Sequence, residues 1–227
     1  SGEILGQVRL VLGDAQRRIG DLSGAVATLE AFVAGMWEYP ELGALWEAAG
    51  LYNLGLAYRQ LGRLSEARAA YEAAADGFRR EHLQEQLGMT LWNLAWVMCL
   101  QGETEAARAA LAESERVRAD EWARWHQLIG WAFVEATEGW QHSTTEMCKR
   151  IMKADAAPPD VQAHAHWLLG REALQQNDPK MAMAMAEGAL EAARSDPGSN
   201  RARNDAADLW RAAKLRLHEL ESGAAGA

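Results

Sequence analysis

Residues 51–71 read LYNLGLAYRQLGRLSEARAAY, and residues 91–111 read LWNLAWVMCLQGETEAARAAL. Asn53 and Asn93, Leu54 and Leu94, Gly62 and Gly102, and the runs Ala67-Arg68-Ala69-Ala70 and Ala107-Arg108-Ala109-Ala110 coincide at an offset of 40. Self-similarity at this period marks a stack of supersecondary units, each of which buries its apolar face against its neighbours. Such a chain has no upper size set by a single core. Its function is therefore sought on a surface before it is sought in a catalytic pocket.

Within the repeat, Leu51, Leu54, Gly55 and Tyr58 recur at helical spacing, and Leu61-Gly62-Arg63 breaks the run. Ser65 is placed to cap a second helix whose apolar stripe is Ala67, Tyr71 and Ala74. Gly55 and Ala67 are small where the two helices must cross. The template also fits Leu12, Gly13, Gly20, Ala25, Leu29 and Phe32, and again Leu169, Gly170, Ala173, Asn177, Ala182, Ala186 and Ala189. A degenerate copy ends its first helix at Glu138-Gly139 and places Thr144, Cys148 and Ile151 on its second. There either Ile129-Gly130 or Trp131-Ala132 fits as the crossing pair. The expected units are residues 3–38, 44–82, 84–119, 121–155 and 159–195, then a helix over 201–221 and a disordered tail over 222–227, all in one domain. Connectors are expected at Ala156-Ala157-Pro158-Pro159 and Asp196-Pro197-Gly198. The Met181, Met183 and Met185 alternation is read as packing between hairpins.

These residues resemble the tetratricopeptide repeat, with a large apolar residue, Leu-Gly, an aromatic, then Ala, an aromatic and Ala. The unit from Leu51 to Ala74 matches at every core position. The spacing of 37–42 residues is longer than the family's usual one and is similar to that of kinesin light chains and bacterial regulators. The resemblance implies an all-α, right-handed superhelical solenoid of five hairpins plus a C-terminal capping helix. It implies a protein- or peptide-binding module, a piece of a larger regulatory or signalling protein. The first helix of each hairpin then lines a concave groove. The groove residues are Tyr52, Asn53, Arg59, Trp92, Asn93, Trp96, His126, Trp131, His164, Trp167 and Arg171. In the resembling family an Asn at the place of Asn53 and Asn93 hydrogen-bonds the backbone of an extended peptide, which a carboxamide does for any sequence because it both donates and accepts.

Ten tryptophans offer flat apolar platforms if Trp92, Trp96 and Trp167 face that groove, and the same residues fill gaps between hairpins if they do not. Platforms of this kind also suit a small-molecule effector such as a sugar, so a sensor domain of a transcription regulator or signalling ATPase is one alternative. A scaffold that self-associates through its terminal hairpins is another. No Gly-rich phosphate loop or nucleophile elbow is present, and no enzyme activity or cofactor is expected. His164 and His166 are two apart and point to different helix faces, so no metal site is expected. A net charge of −9 disfavours direct nucleic-acid binding. The absence of an apolar run of roughly 18–20 residues leaves no membrane span. Two cysteines, Cys99 and Cys148, in separate helical segments point to a reducing, cytoplasmic setting. The Ser1-Gly2 start reads as a processed or recombinant end, and the Ala/Arg-rich helices suggest a GC-rich bacterial source.

Overall fold

In the computed structural model, residues 2–36, 43–195 and 200–224 are described, and among them every regular element is helical. The chain divides into two compact units, residues 1–123 and 124–227. The N-terminal unit holds α1 (Gly2–Ile19), α2 (Leu22–Ala34), α3 (Gly43–Gln60), α4 (Leu64–Arg80), α5 (Gln84–Gln101) and α6 (Thr104–Val117). The C-terminal unit begins within α7 (Glu121–Thr137). It continues through α8 (Gln141–Met152), α9 (Pro159–Gln175), α10 (Pro179–Ala192), a single 3-10 turn (Ala193–Ser195) and α11 (Asn200–Ala224). The connector at 196–198 and the tail at 225–227 lie outside the described residues, and α11 extends through 222–224, which were expected to be disordered.

A single register runs through all five hairpins. Gly13 faces Leu29, and a Cβ on Gly55 would lie 2.5 Å from the Tyr71 ring, so the missing side chain is what lets α3 and α4 approach. The equivalent crossing positions are Ala95, Ala132 and Gly170. Seven residues after each of the five, the backbone turns into the left-handed region, at Gly20, Gly62, Gly102, Gly139 and Asn177. The same bond closes each turn: the next residue's N–H reaches back five residues, as from Arg63 to Tyr58 O and from Trp140 to Glu135 O, both at 2.9 Å. Twelve residues after the crossing position stands a fully buried small residue, at Ala25, Ala67, Ala107, Thr144 and Ala182. Repeat four is thereby set: Trp131-Ala132 is its crossing pair, with the Thr144 hydroxyl donating to Ala132 O at 3.4 Å.

Turns of this kind pass directly into the next helix, which displaces Ser65 from the expected capping role. Arg63 occupies the cap position of α4, without a side-chain cap bond, and its guanidinium instead pairs with Glu66. True side-chain caps occur at Asp21 and Asp178, each accepting at 3.0 Å from the N–H three residues on. Two of the core clusters differ in side-chain size. Leu10, Val26, Leu29, Phe32 and Leu54 fill one cluster of the N-terminal unit. In the C-terminal unit, Ala163, Ala189, Ala193, Ala202 and Ala206 form another. There α11 packs on α10 and α9, so close helix approach replaces bulk. Met183 joins this packing, but Met181 is 47% exposed, contrary to the expectation for the methionine run.

Candidate functional site

In the N-terminal unit, the residues expected on an open groove turn largely inward. Arg59, Trp92, Asn93 and Trp96 are only 8%, 7%, 4% and 2% exposed. The indole rings of Trp92 and Trp96 pack on each other at 5.6 Å. The two repeated asparagines share one bond and differ in the rest. Each donates from Nδ2 to the carbonyl four residues back, Asn53 to Ala49 at 3.0 Å and Asn93 to Met89 at 2.9 Å. Asn93 also accepts from Arg59 Nη1 at 3.1 Å and donates to the Tyr52 hydroxyl at 3.3 Å. Its carboxamide is thus spent inside the protein. Asn53 is half-buried and keeps its oxygen available.

Burial raises the Tyr52 pKa, against the lowering pull of Arg59 and Arg17. Tyr71 beneath it is fully buried, its hydroxyl without a hydrogen-bond partner, and burial raises its pKa as well. Arg17, one repeat earlier at the position of Arg59, is engaged by Asp14 at 2.6 Å. Burial works against the Asp14 carboxylate, but the hydrogen bonds from Arg17 and Arg18 hold its pKa below the ordinary value.

The C-terminal unit arranges the same helix face differently. His126 and His164, expected on the groove, are buried, at 2% and 3% exposure. His126 Nε2 sits 2.9 Å from Asp160 Oδ2 on α9, and this pairing offsets burial to keep the Asp160 pKa low. Trp131, Trp167 and Arg171 are half-buried. The Arg171 guanidinium lies 4.9 Å over the Trp167 ring and 5.2 Å over Phe133, and the two rings meet edge to face at 5.7 Å. Beside this stack a cavity of about 380 Å³ opens between the end of α7 and α9. Phe133, Thr137, Leu168, Arg171, Glu172 and Gln175 are among its walls. Such a volume is in the range of roughly 300–1,000 Å³ typical of ligand sites. Glu172 is 8% exposed, and its Oε1 is enclosed with no hydrogen-bond partner. Burial raises its pKa, and Arg171 only partly offsets this.

Phe133 and Glu172 were missed by the sequence reading. Phe133 follows once repeat four is registered on Gly139, because it then falls one after the crossing position, as Trp96 and Arg171 do. Both cysteines are buried, and the Cys148 thiol is pushed up to about 12 by burial and by the Glu172 charge. Among the described residues, no group of three or more His, Cys, Asp or Glu side chains is arranged to hold a metal ion, and no helix is long and apolar enough to cross a membrane.

Comparison with known proteins bears on the repeat itself. Residues 46–120 match a tetratricopeptide repeat family model, and residues 163–187 match a second. No curated protein matches the chain. A crystal structure at 2.39 Å of a tetratricopeptide repeat protein from Parabacteroides merdae ATCC 43184 aligns with 92% of this chain and 98% of its own. It is 15% identical with a TM-score of 0.30, too low to carry an argument.

Proposed function

We infer that this chain, which belongs to the tetratricopeptide-repeat family, holds a segment of a partner protein on the first-helix face of its C-terminal unit. Repeats of this family mediate protein–protein interaction. The observation that carries the location is the cavity between α7 and α9, whose wall brings together Phe133, the stacked Arg171 guanidinium and the Glu172 carboxylate with its unbonded Oε1. Apolar walls with a few placed polar groups give affinity and orientation together. Tyr52, Asn53 and the remaining groove positions of the N-terminal unit supply less, because Arg59, Asn93, Trp92 and Trp96 are enclosed. Asn53 is the residue of that unit best able to meet a peptide backbone.

The test is selection of random peptides displayed on phage against the whole chain. Enriched peptides are expected, with affinity reduced about tenfold or more by Phe133→Ala or Arg171→Ala, the order expected for an interface anchor. Absence of enrichment, or peptides indifferent to both changes, overturns the reading.

A second reading, self-association, is favoured by α1. Ile4, Leu5, Val8, Val11 and Leu12 form a stripe at helical spacing, each 48–66% exposed. Light scattering over a range of concentrations is expected to reveal a dimer that Val8→Lys disperses. A strictly monomeric chain removes this reading.

A further inference from the structure

Two residues after the crossing position, four hairpins carry an apolar residue and the fifth carries an acid. The positions are Ala15, Ala57, Val97, Val134 and Glu172. Ala57, Val97 and Val134 are fully buried, so hairpin packing is served there by small apolar side chains. Glu172 is 8% exposed, and its Oε1 is enclosed without a hydrogen bond to compensate. A buried, unpaired carboxylate is destabilising. Nothing in the repeat requires one here.

The surroundings indicate what the carboxylate awaits. Glu172 forms part of the cavity wall with Phe133, Ala136, Thr137, Leu168 and Gln175. Its neighbour Arg171 is drawn onto the Trp167 and Phe133 rings. Glu138 adds a second acid to the same wall. On α7, Glu135 Oε2 is also enclosed without a hydrogen-bond partner. A wall that sets Phe133, Ala136 and Leu168 beside the acids Glu138 and Glu172 suits a cation on an aliphatic stem.

We propose that the cavity receives a lysine or arginine side chain of the partner segment, with its charged end donating to Glu172 and its stem lying along Leu168 and Ala136. This rests on the protein-interaction reading for the source of the cation. Two measurements on the whole chain separate the ideas. In the first, peptides from the phage selection are expected to share a basic residue. Its replacement by norleucine, or Glu172→Gln in the protein, lowers affinity on the order of tenfold or more, as loss of a desolvated charge pair does. In the second, Nα-acetyl-lysine N-methylamide is titrated into isotope-labelled protein. It is expected to shift the Glu172 amide and the Trp167 indole signals, where the norleucine counterpart does not.

Selected peptides that depend on Arg171 but carry no basic residue, together with equal shifts from both probes, overturn the cation site and leave the interaction reading standing. A lysine probe that binds through Glu172 when no peptide is selected supports the site and removes the interaction reading. Thermal melting of Glu172→Gln checks that it is folded, so lost binding is not lost structure.

Discussion

Arg59 and Arg171 both stand on first helices, one in each unit, and are used in opposite ways. Arg59 is buried and donates from Nη1 to Asn93, which in turn reaches Tyr52, so three side chains are linked by hydrogen bonds within the protein. Arg171 is half-buried and lies on aromatic rings at the wall of a cavity, beside a carboxylate whose Oε1 has no hydrogen-bond partner. The repeat supplies the same scaffold in both places. Which face stays receptive depends on whether its polar groups find partners within the protein. A closed network contributes to stability, and an unmatched one costs stability while remaining available to a ligand.

The sharpest way to break this comparison is at the two asparagines, which the sequence makes look alike. Asn93→Ala removes the acceptor of a buried guanidinium and is expected to destabilise by about 2–3 kcal/mol. Asn53→Ala loses one half-buried bond and is expected to cost under ~1 kcal/mol. Urea unfolding of the two variants gives the difference. Equal losses would mean that Asn93 is not a member of a closed network.

A smaller contrast lies in the crossing glycines. The Cβ of Gly55→Ala would meet the Tyr71 ring at 2.5 Å, and a buried ring cannot withdraw. Overpacking of this kind costs about 1–3 kcal/mol. The Cβ of Gly170→Ala meets Leu209 Cδ2 at the same 2.5 Å and Met185 Cβ at 3.1 Å, but a terminal methyl shifts more readily than a ring, so a smaller loss than that of Gly55→Ala is expected. Thermal melts that rank the two the other way would show the C-terminal unit to be the tighter one.

The tyrosines sharpen the same point. Tyr52→Phe breaks the bond from Asn93 and is expected to cost about 0.5–1.5 kcal/mol. Tyr71→Phe removes a hydroxyl that has no partner and is expected to be neutral or slightly stabilising. Denaturant midpoints decide between them, and a larger loss for Tyr71→Phe would place an acceptor near its hydroxyl.

The helical repeat was legible because its constraints are local: a small residue where helices cross, and left-handed backbone seven positions later. Those two marks recur even in the degenerate fourth copy, where the sequence left Gly130 and Ala132 both open as the crossing position and the buried Thr144, bonded to Ala132 O, selects Ala132. Exposure was much less legible. Trp96 and Trp167 both read as platforms, yet Trp96 is enclosed against Trp92 and Trp167 is half-open. Asn93 was singled out for repeating, but its partners Arg59 and Tyr52 lie 34 and 41 residues away, beyond the reach of a spacing argument. Glu172 left a mark that aligning the five copies exposes, a single acid in an otherwise apolar column.

That acid gives the smallest effect and the one with a distinctive pH signature. Burial raises the Glu172 pKa above its ordinary 4.5, so the folded protein holds this proton more tightly than the unfolded chain does. Its contribution to stability is therefore greatest when protonated and declines as pH rises from 4.5 through the folded value. The charges around it are Arg171 on its own helix and Glu138 at the cavity wall, with the neutral Cys148 thiol on α8. Glutamine keeps the shape and does not titrate. Glu172→Gln is expected to match the parent below pH 4.5 and to become the more stable of the two as pH rises to neutrality, by less than the losses above. Melting temperatures of both proteins across this range provide the check. An offset independent of pH, or a less stable glutamine variant at neutral pH, would mean that Glu172 already has a partner in the protein and is not held ready for one.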